Sequence, residues 1–270
     1  MVDWTYMMFF SLFATVFAMS VGLFEFSADS DAEDEDAGPE FEPENYTDLF
    51  IGTPGDDAMT AQNYEADLAY MLAEGSDTLV ASEGDDLADG GAGNDVLILS
   101  NDDVALGGDG EDVLSGGAGD DELHGQGGDD DIEGNGGDDL LYGGSGDDLL
   151  DGGQGDDILF GGLGDDVLIL GEGDLATGGE GMDEFHVYEI DSPEAPPADI
   201  TDFAAGTDAI HVHYYPVTDP ETGAPAMPEI DVSFDDEADA TVVTLNGQQI
   251  ATLAGDAGIT VADVVLTPIG

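Results

Sequence analysis

The sequence predicts an all-β chain assembled from very short stacked strands, and three regularities carry that reading. A nine-residue period starts at Leu72, and units begin at residues 72, 81, 90, 107, 116, 125, 134, 143, 152, 161 and 178. In all eleven the fourth residue is Gly and the sixth is Asp. The eighth is Leu, Ile or Phe in every unit except one, where it is Ala88.

Each place has a physical role. Glycines at the first, second and fourth places let the backbone take positive φ and turn sharply, which sets carbonyl oxygens on the inside of the turn. The sixth-place Asp adds a carboxylate to that ring. The last three residues, with a large apolar side chain in the middle, fit a short strand that points one side chain inward, so stacked copies form an apolar ladder.

Taken in chain order, the run from Trp4 to Phe24 carries no charge for 21 residues. As a helix it would span about 31 Å, close to the hydrocarbon thickness of a bilayer. It is expected to be an N-terminal membrane anchor or a signal segment (residues 1–24), with Ala18-Met19-Ser20 offering a small-residue cleavage site. Residues 25–48 mix acidic runs with Pro, Gly and Ser and read as a disordered, self-repelling linker. The repeats occupy residues 49–186, preceded by a weaker unit from Gly52 with Asp57 in the sixth place. Two eight-residue stretches, LSNDDVAL and LGEGDLAT, interrupt the period. They lack the Gly-x-Asp of a binding turn and read as shortened coil halves that keep the strand and lose the ion. Residues 187–270 turn to β-branched and aromatic runs, with strands expected at 209–215, 229–234, 241–245, 248–253 and 261–266. Asn246-Gly247 marks a tight hairpin. This segment reads as an antiparallel β cap.

Composition narrows the chemistry. The 270 residues include 65 Asp or Glu, no Lys, no Arg and no Cys, for a formal charge of −65. Without cationic side chains, the phosphate contacts that dominate nucleic-acid affinity are excluded. Schiff-base, P-loop and thiolate chemistry fall with Lys and Cys. So dense a set of carboxylates opposes compaction unless cations bind. Calcium, which takes six to eight oxygen ligands, suits an acidic, Gly-rich chain.

Units such as GGAGDDELH from Gly116 and GGSGDDLLD from Gly143 resemble the RTX calcium-binding family, whose signature is G-G-x-G-x-D-x-U-x. The resemblance implies a calcium-stabilised parallel β-roll with two nonapeptides per coil and calcium held between the turns of successive coils. The expected calcium ligands are Asp77, Asp86, Asp95, Asp112, Asp121, Asp130, Asp139, Asp148, Asp157, Asp166 and Asp183, with neighbouring backbone carbonyls and with Asp57 as a weaker member. Pairing good turns on one side of the roll gives roughly five to eight ions. Gln126 and Asn135 replace the second Gly and should weaken their turns. The segment from Ile200, ITDFAAGTDAIHV, is similar to the one that closes the open end of the roll in this family.

Parity identifies one unusual face. Units at 116, 134 and 152 share a sheet, and their outward residues are Glu122 and His124, Leu140 and Tyr142, and Ile158 and Phe160. Leu140, Tyr142, Ile158 and Phe160 form an apolar patch suited to the cap, the linker, a partner or a second copy. His211 and His213, two apart on a strand, read as strand surface rather than a zinc pair. No Gly-x-Ser-x-Gly elbow and no His-Glu-x-x-His helix is present.

The function expected from these observations is a non-catalytic, extracytoplasmic structural or surface protein whose roll folds on binding calcium, in the periplasm, at the cell surface or secreted. An accessory subunit of a membrane complex, its acidic domain docking a basic partner, is a second reading. A polysaccharide-modifying or polysaccharide-binding module is a third.

Overall fold

The computed structural model describes residues 48–61, 67–81, 83–188, 195–218, 225–255 and 257–269. The apolar run 4–24 and the acidic linker, apart from Asp48, lie outside the described residues. Among the described residues no helix is long and apolar enough to cross a membrane.

Short strands alternate between a 12-stranded and a 10-stranded sheet on either side of one apolar core, and as far as Tyr214 each strand pairs with the one two places earlier. All the repeat strands run parallel, with Leu141 beside Leu123 and Leu159 in one sheet and Ile132 beside Leu114 and Leu150 in the other. Turn partners are 18 residues apart, which is two nonapeptides and one coil. Through the shortened stretches the step falls to 17, and the alternation of sheets survives. Pairing also runs further than the three expected residues. The strand Leu140–Ser145 continues through Gly143 and Gly144, because the glycine backbone keeps its hydrogen bonds to the neighbouring coils while it bends.

The eighth-place side chains fill the interior. Leu123, Leu141 and Leu159 on one side, and Leu114, Ile132, Leu150 and Leu168 on the other, are fully buried. Seventh- and ninth-place side chains project outward, so Tyr142 lies on the outer face, its ring stacked 4.5 Å from His124 and 4.9 Å from Phe160. Leu140, Tyr142 and Phe160 are half-buried there, and Ile158 is exposed.

The C-terminal segment differs in part from an antiparallel cap. Ile230–Asp235, Ala240–Leu245 and Gln248–Ala254 do form an antiparallel meander, turned at Asn246 and Gly247, both with positive φ. Yet Ala198–Ile200, Ala209–Tyr214, Gln248–Ala254 and Val264–Pro268 each pair in parallel with a strand of the coil before them. Parallel pairing therefore continues past residue 186, because Ile200, Ile210, Val212, Ile250 and Leu253 extend the same buried ladders. The last strand starts at Val264 rather than 261, since Thr260 and Asp263 form a capping box around a 3-10 turn at Val261–Asp263.

The parity gives a direct test. Leu141→Ala should cost about 2–5 kcal/mol, whereas Leu140→Ala, one residue away on the outer face, should cost about 1 kcal/mol or less. Urea unfolding in calcium-containing buffer measures both. Equal losses would contradict the inward and outward assignment.

Candidate metal centre

The fourth glycine makes the turns. Gly137 has φ +139°, and a Cβ there would overlap the carbonyl of Gly119 in the coil before it. Gly155 and Gly164 are held the same way, against Gly137 and Gly146. No L residue fits both the conformation and the space. Glycines at the second place are equally close to the preceding coil, a Cβ on Gly108 or Gly144 overlapping the carbonyl of Gly91 or Gln126, while Gln126 and Asn135 take the same positive φ, +76° and +77°.

Stacked turns place the sixth-place carboxylates in two columns, one along each edge of the roll. On one edge Asp112, Asp130 and Asp148 each donate a backbone N–H to Oδ1 of the Asp one coil later, at 2.8–2.9 Å. On the other edge Asp121 and Asp139 do the same to Asp139 and Asp157, both at 2.8 Å. Fifth-place aspartates form a second, exposed ladder of opposite sense. In it Asp138 N–H donates back to Asp120 Oδ1 at 2.9 Å, and Asp147 N–H to Asp129 Oδ1 at 2.9 Å.

The second carboxylate oxygen is different. In Asp77, Asp95, Asp112, Asp121, Asp130, Asp139, Asp157 and Asp166, Oδ2 is buried and accepts no hydrogen bond. Its near neighbours include carbonyl oxygen. A Cβ on Gly90 would meet Asp95 Oδ2 and Gly107 O, each at 2.5 Å, and Gly107 stands likewise beside Asp112 Oδ2 and Gly125 O. A buried carboxylate oxygen with no donor and with carbonyl oxygen nearby fits a hard divalent cation. Asp86, Asp148 and Asp183 occupy the same columns, their Oδ1 atoms accepting from Leu68, Asp130 and Asp166 N–H.

The interruptions require a correction. Asp103 and Asp174 stand in the sixth place, fully buried, with Oδ1 accepting from Asp86 and Asp157. These stretches therefore lose a turn residue, not the carboxylate. Their Oδ2 atoms, however, are satisfied by their own turns: Asp103 by Ser100 and Asn101 N–H at 2.7 and 3.0 Å, Asp174 by Gly171 N–H at 2.6 Å. Asp208 repeats this beyond the repeats, accepting from Ala204 at 2.6 Å and from Asp183 at 3.4 Å. Asp57 Oδ2 is likewise taken by Thr53 N–H at 2.6 Å, in keeping with its weaker unit. The period conceals Asp103, Asp174 and Asp208 because a deletion or a loop precedes each. A short Asn, Glu or Gly stretch ending in Asp before an apolar strand is the signal that reveals them.

Burial pushes the column carboxyls up: Asp130 to about 8, Asp121, Asp157 and Asp166 to about 7, Asp112 and Asp174 to about 6. The N–H of the coil before pulls each down, and neighbouring carboxylates push up again. His211 and His213 lie on the outer face of their strand, as strand surface requires, but beside His186 and Glu184.

The RTX calcium-binding nonapeptide repeat is matched in four copies, over residues 73–104, 99–132, 106–141 and 142–174. No curated protein matches the chain. Among solved structures, the solution structure of the AlgE6R3 subunit from the Azotobacter vinelandii mannuronan C5-epimerase is similar, with 29% identity over 58% of this chain and 80% of that one, at a TM-score of 0.31.

The raised carboxyls fix a pH dependence. Without metal, the folded roll holds these protons more tightly than the unfolded chain, whose Asp groups titrate near the ordinary value of 3.8. That stabilisation is complete below 3.8 and lost as pH rises through about 6 to about 8. In chelator, circular dichroism should therefore show β structure growing as pH falls from about 8 to about 5. A flat profile would contradict the burial of these groups.

Proposed function

We propose, for a chain whose residues 73–174 belong to the RTX calcium-binding nonapeptide repeat family, a non-catalytic structural role outside the cytoplasm, with calcium as the ligand that completes the fold. The observation that carries this reading is the set of buried Oδ2 atoms with no donor. An isolated carboxylate away from water is strongly disfavoured, and no Lys or Arg exists in the chain to neutralise it. Calcium bridging Oδ2 and turn carbonyls of successive coils supplies the missing charge. The ligands are the sixth-place aspartates of the eleven regular units from Asp77 to Asp183, and regular turns paired on each edge support roughly five to eight ions. The turns closed by Asp103 and Asp174 have their carboxylates already satisfied and take none.

Location follows from affinity. All-oxygen sites of extracellular modules bind at about 0.1–1 mM, a concentration met outside the cytoplasm. The uncharged segment 4–24 supports tethering to a membrane there. A non-catalytic role is supported by position: the column carboxylates lie in the turns and accept from backbone N–H groups of the coil before them.

In chelator at neutral pH the full chain should be largely disordered, and it should gain β structure cooperatively at about 0.1–1 mM calcium. Asp130→Asn, isosteric but uncharged, should move the midpoint to higher calcium. A circular dichroism spectrum unchanged by chelator after confirmed calcium removal would refute the reading.

A further inference from the structure

Three of the four histidines meet on the outer face of the smaller sheet, where the last repeat strand joins the C-terminal segment. The strand Glu184–Tyr188 runs parallel to Ala209–Tyr214, with His186 beside His211 and Tyr188 beside His213. Alternation sends Phe185, Val187, Ile210 and Val212 into the core, which leaves Glu184, His186, His211 and His213 together outside. The imidazoles of His186 and His211 stack 4.7 Å apart with 5° between their planes. Both Nε2 atoms approach the same oxygen, Glu184 Oε2, at 3.3 and 3.7 Å. On its far side, His186 Nδ1 lies 3.0 Å from His213 Nε2.

We propose that Glu184, His186 and His211 bind one divalent transition-metal ion of the zinc class, with water completing the shell. Ligand atoms around a tetrahedral zinc ion with bonds of about 2.0–2.1 Å lie about 3.3 Å apart. The two separations to Glu184 Oε2 are near that value, and all three ligand atoms fall within 4.8 Å of one another. Binding requires the stacked rings to turn out of their parallel planes until both Nε2 lone pairs point at one ion. His213 Nε2, 3.0 Å from His186 Nδ1, stands where an outer-shell partner would hold the ring once Nε2 takes the metal.

The donor chemistry separates this site from the turns. Two imidazole nitrogens select a borderline metal over calcium, which prefers oxygen alone. The surrounding field of a chain with charge −65 raises the local concentration of any divalent cation, while the nitrogens decide which one stays. The ion would tie the last repeat strand to the first long strand after the loop, fastening the C-terminal end of the roll.

The test uses the full chain saturated with calcium, so that the oxygen turns are occupied, and titrates it with zinc chloride. One tight equivalent is expected, and His186→Gln and His211→Gln should each weaken it by at least about 10-fold. Calcium-dependent circular dichroism checks that each variant folds. Cobalt chloride on the unaltered chain gives a reading independent of the variants: an intense visible band of four-coordinate cobalt with nitrogen ligands is expected. Only the weak spectrum of six-coordinate oxygen ligation, zinc displaced by excess calcium, or folded variants that bind zinc as tightly as the unaltered chain would overturn the proposal.

Discussion

Eight sixth-place aspartates bury an Oδ2 that accepts no hydrogen bond, and the rest of the molecule depends on that constraint. Each sixth-place Asp uses Oδ1 to take the N–H of the coil before it, which stitches the coils at a fixed step. In doing so it commits Oδ2 to a buried position beside carbonyl oxygen. In most proteins a lysine, an arginine or a cluster of N–H groups would face such an atom. Here the compensating charge has to come from solution, as a proton in acid or as a divalent ion at neutral pH. Under the proposed function the same atoms link pH, calcium and folding.

The apolar ladders are the other half of the design and are insufficient by themselves. A strand of three to six residues buries one large side chain per coil on each side, and neighbouring coils contact only each other. The ladders gain their burial only when the turns stack in register, and the turns stack only when their carboxylates are compensated. Glycine at the fourth place makes the approach between coils close enough for both: at Gly137 and Gly155 even a methyl group would strike the preceding backbone.

Much of this was legible in the sequence because the roll converts spacing directly into position. The invariant Gly, the invariant Asp and the apolar eighth residue mark the turn, the column and the ladder, and parity alone placed Tyr142 and Phe160 on one outer face. What the period hid lies where chain length changes. Deletion of one residue disguised Asp103 and Asp174, although the strands after them keep the register that returns each carboxylate to its column. Beyond residue 186 the loops lengthen, so the parallel pairing of Ala209–Tyr214 and Val264–Pro268 leaves no fixed spacing to read. For the same reason His186 and His211, neighbours in space, share no periodic relation in sequence.

Under the proposed function the uncompensated carboxylates of the regular turns are cation ligands and the self-satisfied ones are not. An anomalous-difference map from crystals of the calcium-loaded chain tests it most directly. The account predicts ions bound by the regular aspartates, Asp112, Asp121, Asp130 and Asp139 among them, and none on Asp103 or Asp174, whose Oδ2 atoms already accept N–H bonds. Empty regular turns with their aspartates unmoved, or ions ligated by Asp103 or Asp174, would contradict it.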